Sequence, residues 1–311
     1  MSRECPLVAI VGPTGTGKSS LALHIARVFS GEIVNCDSLQ LFRGFDVGTA
    51  KLPESERRGI PHHLIDILAP GDVFSAGEYA RRARDTVREI SSRDRLPVIV
   101  GGTGFYLNAA LNGLPSLPER EEALRVRLLE RERKRPGSLR RLLSRLDPTA
   151  ADRIHARDIP KLIRALEIRL LTGRTAPPPG TAEPLRGFRT FKIGLNPDRA
   201  LLHAALDART REMFHAGLID EVKNSLESGC TGEEKPFASL GYKQALAFLR
   251  GSVSLGQAIA STQLETRQYA KRQLTWFRRD PAVVWITGFG QSARIVSECL
   301  KLVAEFLHAT G

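Results

Sequence analysis

The sequence predicts an α/β fold in which helices flank a parallel sheet and a small helical subdomain is inserted into the chain. Two observations lead to this prediction. Short apolar runs typical of buried strands alternate with helical patterns in the first third of the chain, which favours a parallel sheet covered on both faces. Strand signals then vanish over residues 119–175 and return near residue 190.

The individual strands and helices follow from the hydrophobic period. Runs of apolar, mostly β-branched residues predict strands over residues 7–11, 33–35, 64–67, 97–100, 190–195 and 283–286. Apolar residues spaced three or four apart predict helices over residues 18–29, 77–91, 199–213, 218–226, 261–279 and 293–307.

The strand-free middle segment differs from the rest in composition. Residues 119–175 contain 16 lysines and arginines against nine acidic residues, and leucines fall at helical spacing at positions 124, 128, 139, 142, 143 and 146. Prolines 115 and 118 precede this segment and the run 177–180 follows it. We therefore divide the chain into a first part of the α/β core over residues 1–116, a basic helical lid over residues 117–180, and a second part of the core over residues 181–311.

The charge balance points to an acidic partner. The 311 residues carry a formal net charge of +12 and the pI is near 10.0, which is typical of proteins that bind polyanions, commonly nucleic acid. A solvated basic surface is the alternative. Hydrophobic residues make up 42% and charged residues 26% of the chain, and these proportions exclude global disorder.

The expected location follows from patterns that the sequence lacks. No apolar run approaches the roughly 18 residues needed to span a bilayer, and the first residues show no signal-peptide pattern. The four cysteines are far apart, without zinc-type pairs or a disulfide framework. We expect a reduced, cytoplasmic, monomeric protein that does not contact a membrane.

A phosphate-binding loop follows the first predicted strand. Residues 12–19 match the pattern G-x-x-x-x-G-K-[ST] and precede a predicted helix, a context that disfavours a chance glycine turn. The glycines let successive N–H groups face one anion, and the helix N-terminus adds a partial positive charge. Lys18 would neutralise a terminal phosphate, and the Ser19 hydroxyl would bind Mg²⁺. The fold is therefore predicted to be of the P-loop type, with phosphate-binding residues Gly12, Pro13, Thr14, Gly15, Thr16, Gly17, Lys18 and Ser19.

A second glycine-rich turn, residues 101–104 (Gly-Gly-Thr-Gly), ends the predicted strand 97–100. Many P-loop proteins have an aspartate at the end of such a strand that supports the Mg²⁺ shell, and this sequence has none there. Asp66 is a candidate substitute, or simply a polar residue at a strand end. The sequence thus predicts magnesium at Ser19 and leaves its supporting carboxylate open.

Further motifs follow in a fixed order along nearly the whole chain. After the phosphate-binding loop come NCDSLQLFRG (35–44), DVGTAK (46–51), PHHLID (61–66), the turn 101–104, IRALE (163–167) and RQYAKRQLTWFR (267–278). In this order the set resembles the bacterial tRNA dimethylallyltransferase family. Single pieces such as D-S-x-Q and G-G-T are weak signals, whereas the ordered set is highly specific.

The resemblance implies a reaction and its partners. Dimethylallyl diphosphate would donate its five-carbon prenyl group to the exocyclic amine of the adenosine just 3′ of the anticodon, and diphosphate would leave. The residues of the phosphate-binding loop would then bind the diphosphate, with Mg²⁺ on Ser19 as the cofactor. The expected partners are this donor and the anticodon stem-loop of tRNA.

Catalytic residues are also implied by the resemblance. The exocyclic amine of adenine is a poor nucleophile, so a carboxylate that removes its proton contributes roughly 10²–10⁴-fold. Asp37 matches the family's carboxylate at this step, and its alternatives are an N-cap or a support for Mg²⁺. Lys18, Thr103 and Arg209 match groups that would stabilise the departing diphosphate. Without the resemblance, Arg209 would read as an exposed helix arginine.

The resemblance further implies a set of tRNA-binding residues, namely Asp37, Ser38, Leu39, Gln40, Thr103, Arg125, Lys161 and Arg164. Gln40 would read one edge of an adenine with its amide. Phe42 stands where the family usually has tyrosine, and we expect it to keep stacking on a base. The run 157–161 (Arg-Asp-Ile-Pro-Lys) replaces the family's usual Asn-Asp-Pro-Gln-Arg, which retains the charge but leaves the detailed contacts open.

Residues 269–279 interleave aromatic residues with cations. They would form either an RNA-facing helix or a helix whose Trp276 and Phe277 belong to the core, and we favour the core for these two aromatic side chains. Two other functions remain open. A small-molecule or nucleotide kinase would use the same loop without needing the basic lid. A non-catalytic P-loop module that binds RNA or hydrolyses ATP would leave the pattern at 37–40 and the turn at 101–104 unexplained.

Overall fold

The computed structural model describes residues 4–115, 117–175 and 182–309. Their contacts divide the chain into two compact units. The larger unit combines residues 1–111 with 185–311, and the smaller unit is residues 112–184. The proline run 177–180, which we expected to end the helical lid, lies outside the described residues.

A six-stranded sheet forms the centre of the larger unit. Its strands are β1 (Cys5–Val11), β2 (Gly31–Asn35), β3 (His62–His63), β4 (Leu96–Val100), β5 (Phe188–Leu195) and β6 (Val283–Ile286). The spatial order is β3-β2-β4-β1-β5-β6, and all neighbouring strands are parallel. Val8 of β1 pairs with Val98 of β4, and Ile10 pairs with Ile193 of β5. The predicted fold class is confirmed.

The described residues also contain the helices α1 (Lys18–Val28), α2 (Ala76–Ser92), α3 (Gly104–Asn112), α4 (Glu122–Lys134), α5 (Ser138–Leu146), α6 (Pro148–Arg153), α7 (Ile159–Thr172), α8 (Arg199–His215), α9 (Leu218–Glu227), α10 (Tyr242–Leu249), α11 (Leu255–Phe277) and α12 (Ala293–His308). In the part of the chain that the structure describes, no helix combines the length and apolarity that crossing a membrane requires.

Alternation along β1 builds two hydrophobic cores. Leu7 and Val11 face a core that also contains Tyr79 of α2, whereas Val8 and Ile10 face the core that α1 and α12 cover. A side chain changes face at every step of a strand, so the uninterrupted apolar run of β1 fits a strand buried on both sides. The carboxyl end of this central strand leads directly into the phosphate-binding loop.

The predicted strand over residues 64–67 is wrong. The strand in this region is β3, which contains only two histidines. Leu64 and Asp66 have φ angles of 56°, in the left-handed region that an extended strand cannot include. The chain turns there because its backbone forms hydrogen bonds outside the sheet ladder. The Leu64 carbonyl accepts a hydrogen bond from the side-chain amide of Asn35, and the Asp66 N–H donates one to the Gln40 carbonyl.

Three helices differ from the sequence predictions. Helices α3 and α10 were not predicted; in α3, which reads GFYLNAALN, apolar residues are too dense to show a period. Helix α11 begins at Leu255, six residues before the predicted start. The Ser254 hydroxyl accepts a hydrogen bond from the Gln257 N–H, and the Ser254 N–H donates one to the side-chain oxygen of Gln257. This capping box fixes the earlier start.

The smaller unit contains α4 to α7 around its own core. Leu139, Leu143, Leu162 and Leu166 are buried there together with small alanines. The carboxylate of Glu167 is fully buried in this unit. It accepts hydrogen bonds from the Glu121 N–H and from the guanidinium groups of Arg125 and Arg164, so its charge is compensated. These hydrogen bonds hold the pKa of Glu167 below its usual value against the effect of burial, which acts to raise it.

Candidate active site

The phosphate-binding loop owes its shape to glycine. Gly12, Gly15 and Gly17 have φ angles of 134°, 78° and 80°, where other residues are strained. A Cβ on Gly12 would also lie 2.6 Å from the carbonyl oxygen of Leu195 in β5. Only glycine therefore lets the loop turn this close to the sheet before α1 begins.

The loop of residues 288–291, which follows β6, packs against one side of the phosphate-binding loop. The Gly290 N–H donates to the Thr16 carbonyl at 2.8 Å, and a Cβ on Gly290 would lie 2.4 Å from the carbonyl oxygen of Gly17. Thr16 is fully buried, and its hydroxyl donates to the Pro13 carbonyl at 2.9 Å. The Thr16 hydroxyl therefore holds the loop together and is not free to bind an anion.

Lys18 begins α1 and lines a cavity at the loop. Its ammonium group donates a hydrogen bond to the Pro13 carbonyl at 2.6 Å. The pKa of Lys18 is lowered to about 7, first by burial and then by the positive charge of Arg209, while the negative charge of Asp37 opposes the shift. An anion in the cavity would favour the protonated form and raise this pKa again.

Asp37 follows β2 and is held by its neighbours. The Asn35 side chain accepts a hydrogen bond from the Asp37 N–H at 3.0 Å and donates to the Asp37 carbonyl at 3.1 Å. One carboxylate oxygen of Asp37, Oδ1, accepts a hydrogen bond from the Leu39 N–H at 2.9 Å. This Asx-type turn orients the carboxylate; among the described residues, no hydrogen bond is made to its second oxygen.

The turn 101–104 lies beside Asp37. Thr103 Oγ1 accepts a hydrogen bond from the Ser38 N–H at 3.2 Å, and the Thr103 N–H donates to the Cys36 carbonyl at 3.2 Å. A Cβ on Gly101 would lie 2.1 Å from the same Cys36 carbonyl oxygen. The first glycine of the turn is thus required by the close approach of the two strand ends, and the Thr103 hydroxyl keeps its own proton to donate.

Arg209 reaches the site from α8. Its guanidinium lies 3.4 Å from the Thr14 hydroxyl, within hydrogen-bonding distance. Burial lowers the pKa of Arg209, and the nearby charge of Asp37 acts in the opposite direction. Arg209 is therefore a half-buried cation directed at the phosphate-binding loop, not the exposed helix arginine that the sequence allowed as an alternative.

Two cavities meet at these residues. The smaller, about 240 Å³, is lined by the phosphate-binding loop, including Lys18 and Ser19, and also by Gln40. The larger, about 440 Å³, is lined by residues of α8 and α11 and by the segment 238–241. Four residues line both cavities: Thr14, Asp37, Thr49 and Arg209.

The larger cavity has apolar and polar walls. Leu206 and Met213 supply apolar surface, and Tyr269 and Arg272 lie on the α11 side. Burial and the negative charge of Asp37 raise the pKa of Tyr269 to about 12, so its phenol stays neutral. The arrangement can hold an anion among cations in the small cavity and a flat or apolar group beside it, with one carboxylate at the junction.

Gln40 and Phe42 differ in what they can contact. The Gln40 amide donates to the Thr49 carbonyl at 3.2 Å and lines the small cavity. Phe42 is 0% exposed and packs in the core of the larger unit, where Lys235 lies over its ring. Phe42 therefore has no free face, and the expectation that it stacks on a base is wrong.

The two aromatic residues at the end of α11 behave differently from each other. Phe277 is buried, as expected, whereas 43% of Trp276 is exposed and its indole lies edge-on to Phe105. The assignment of Trp276 to the core is therefore wrong. Its ring covers Gly104, where a Cβ would lie 2.1 Å from the indole.

The other predicted tRNA-binding side chains belong to the smaller unit. Arg125 and Arg164 bond to the buried Glu167, and Arg164 also donates to the Pro118 carbonyl at 2.8 Å. Lys161 donates to Asp158 at 2.6 Å and is otherwise exposed. Within this unit the two arginines stabilise the fold around Glu167 in addition to any contact with phosphate.

Three of the residues that sequence reasoning missed hold or line the junction of the site. Asn35 orients Asp37, Thr49 lines both cavities, and Gln273 of α11 bonds to Thr14 and Gly102. Asn35 could have been predicted, because it is a polar residue at the end of a buried strand. No signal identified Gln273, because its partners lie far away in the chain.

No group of three or more His, Cys, Asp or Glu side chains in the described part of the chain could hold a metal ion. Ser19 lies in the first turn of α1, is exposed, and lines the small cavity together with Asp37. A hydroxyl and one carboxylate lining the same cavity suit Mg²⁺, which keeps several waters and binds substrate phosphates instead of an all-protein cage.

Fold and loop together define a class: an α/β protein of the P-loop type with a carboxylate facing its phosphate-binding loop. Residues 40–280 match the family described as IPP transferase. The chain is 57% identical to a tRNA dimethylallyltransferase of Solibacter usitatus over 97% of this chain and 99% of the relative, and 48% identical to one of Koribacter versatilis over 96% and 97%. The chain belongs to the IPP transferase family, which confirms the resemblance.

Solved structures are similar as well. The tRNA isopentenylpyrophosphate transferase of Bacillus halodurans has a TM-score of 0.74 and 36% identity, covering 98% of this chain and 97% of that one. A eukaryotic dimethylallyltransferase acting on tRNA has a TM-score of 0.84 and 26% identity, covering 98% of this chain and 80% of that chain.

Proposed function

We propose that this enzyme transfers a dimethylallyl group from dimethylallyl diphosphate to the exocyclic amine of the adenosine 3′ of the anticodon in tRNA. The observation that carries the proposal is the position of Asp37, which lines both the cavity of the phosphate-binding loop and the larger cavity beside it. A donor in one cavity and an acceptor in the other would meet at this carboxylate. Family membership supports the same reaction.

The donor's diphosphate would lie in the small cavity. The loop residues that line this cavity, Gly15, Gly17, Lys18 and Ser19, would bind it through backbone N–H groups, together with the ammonium of Lys18 and the guanidinium of Arg209. We propose Ser19 as the protein ligand of Mg²⁺, which would neutralise part of the diphosphate charge. Thr103 would donate its hydroxyl proton. These groups stabilise the charge that grows as the allylic C–O bond breaks, and such preorganised electrostatics is usually the largest catalytic contribution.

The acceptor adenine would occupy the larger cavity, with its amine at Asp37. As the nitrogen bonds to the allylic carbon, diphosphate leaves with the C–O electron pair and Asp37 accepts the N–H proton. The Asx-type turn to Leu39 leaves the second carboxylate oxygen of Asp37 to face the amine. Gln40 lines the adjoining small cavity, and from there its amide would bond to an adenine edge. A base reaching this site must leave its stack, which costs a few kcal/mol.

We propose that tRNA binds through the basic helical lid, residues 117–180, and through Ser38, Leu39 and Gln40 next to Asp37. The excess of cations in the lid supports a polyanionic partner. Arg125, Lys161 and Arg164 are proposed phosphate contacts. Since the proposed substrate is tRNA, we place the enzyme in the cytoplasm, and a monomer remains our prediction for its oligomeric state.

Incubation with labelled dimethylallyl diphosphate, Mg²⁺ and unmodified tRNA, followed by nucleoside mass analysis, tests the proposal. We expect one adenosine per substrate tRNA to gain a five-carbon prenyl group. Titration of the purified protein with ATP and GTP distinguishes a kinase from a prenyltransferase. ATP turnover without prenyl transfer, or tRNA that stays unlabelled, would overturn the proposal.

A further inference from the structure

Gln273 joins two loops of the site that are remote in the chain. Its carbonyl oxygen Oε1 accepts a hydrogen bond from the Thr14 N–H at 2.8 Å, and its amide Nε2 donates to the Gly102 carbonyl at 2.9 Å. Gln273 is only 5% exposed, and its bond to Gly102 is buried. One buried carboxamide thus bridges the phosphate-binding loop and the turn 101–104.

The turn is shaped to admit this side chain. A Cβ on Gly102 would lie 2.1 Å from Gln273 Nε2, and a Cβ on Gly104 would overlap the indole of Trp276, one helical turn further along α11. Two glycines of the turn are therefore covered by two side chains of one helix. Contact this close fixes the turn relative to α11 because neither partner has room to shift.

The two loops carry the groups that must act together. Thr14 lines both cavities and lies against Arg209, and Thr103 follows Gly102 and holds the Ser38 backbone next to Asp37. A change in the distance between these loops would move the phosphate-binding residues relative to the carboxylate. Reacting groups displaced by about 1 Å can lose 10²-fold in rate.

We propose that Gln273 is a positioning residue, which sets the spacing between the phosphate-binding loop and the turn that bears Thr103. This inference rests on the proposed prenyl transfer. A carboxamide is required because one partner is a donor and the other an acceptor. Methionine fills a similar volume and offers neither strong group, and asparagine offers both groups on a side chain one methylene shorter.

The test compares Gln273→Met and Gln273→Asn with Gln263→Met. Gln263 lies on the same helix and donates one hydrogen bond to the Asp207 carbonyl, so this variant controls for loss of a side-chain bond from α11. We expect both Gln273 variants to lose roughly 10–100-fold in kcat, with the KM for dimethylallyl diphosphate within threefold of wild type. The Gln263 variant should keep its kcat within threefold.

Amide hydrogen exchange provides a second readout that does not need activity. Peptides covering residues 12–18 and 100–106 should exchange faster in the folded Gln273 variants, whereas those in the Gln263 variant should not change. A kcat within threefold of wild type in Gln273→Met, or a loss confined to the donor KM, would overturn the inference. If wild-type enzyme transfers no prenyl group, the proposed function fails, and unchanged exchange in the variants would separately reject the bridging role.

Discussion

The guanidinium of Arg209 lies 3.4 Å from the hydroxyl of Thr14, at the junction of the two cavities. This contact directs a half-buried cation at the phosphate-binding loop. We expect Arg209→Ala to lose about 10²–10³-fold in kcat, because one preorganised donor to the departing diphosphate is removed. Steady-state prenyl transfer at saturating donor and tRNA measures the effect.

Arg211 on the same helix is exposed and serves as the matched control. Arg211→Ala should keep kcat within about threefold of wild type. If the two variants lost activity equally, Arg209 would have no special role in the site and the loss would reflect the charge of α8 as a whole.

Replacing Asp37 with asparagine removes the base but keeps an oxygen for the Leu39 N–H. We expect Asp37→Asn to lower single-turnover transfer at least ~100-fold, whereas donor affinity changes little, because the variant cannot accept the amine proton. Asp72→Asn is the control, since Asp72 is an exposed carboxylate that also accepts one backbone N–H. Near-normal transfer by Asp37→Asn would remove Asp37 from the role of base.

The lowered pKa of Lys18, about 7, predicts how donor binding depends on pH. Below pH 7 the amine of the free enzyme is mostly protonated, and above pH 7 it is mostly neutral and must gain a proton to bind diphosphate. Affinity for dimethylallyl diphosphate, measured by calorimetry with Mg²⁺, should therefore fall roughly tenfold between pH 7 and pH 8.5. The Lys18→Arg variant stays charged, so its affinity should not follow this profile; a flat wild-type response would contradict the prediction.

Gly101 has no room for a side chain, because a Cβ would lie 2.1 Å from the backbone carbonyl oxygen of Cys36. We expect Gly101→Ala to lower the free energy of unfolding by about 1–3 kcal/mol or more. Gly71 has nothing within 4 Å of its Cβ position, and Gly71→Ala should stay within about 0.5 kcal/mol of wild type. Denaturant unfolding followed by circular dichroism measures both; equal stability of the two variants would show that the strand ends can separate.

The excess of positive charge predicts strongly salt-dependent tRNA binding. If about six phosphates are neutralised, affinity should fall roughly 10³-fold between 50 and 200 mM salt, because condensed counterions are released on binding. Filter binding or fluorescence anisotropy at several salt concentrations measures the slope. A flat response would exclude the basic lid as the tRNA site.

Local patterns predicted most of the larger unit. The run at 7–11 could be read as a strand buried on both sides because its residues are apolar at every position, and the loop 12–19 because its glycines and Lys18 stand at fixed spacing. The false strand at 64–67 shows the limit. Its apolar residues have strand character, but the backbone turns to bond with Asn35 and Gln40, which are remote in the chain.

The site was predictable where chemistry follows from residue type and order. Lys18 was named from the phosphate-binding motif, and Asp37 and Arg209 were named from the family resemblance; the structure brings all three together around one cavity. Whether a residue can act in the site also depends on its burial and its contacts, which the motifs do not show. Phe42 has the aromatic ring that stacking needs but lies in the core, and Gln273 gains its importance only from partners that the fold brings to it.

The fit of α11 over the turn 101–104 has a consequence for how such chains vary. Gln273 and Gly102 are separated by 171 positions, yet a methyl group on one would occupy the space of the other. Substitution at either position alone disrupts the contact between the turn and α11. The glutamine and the glycine should therefore be inherited as a pair. A relative that has lost the glutamine should then be the one in which alanine is tolerated at the second position of the Gly-Gly-Thr-Gly run.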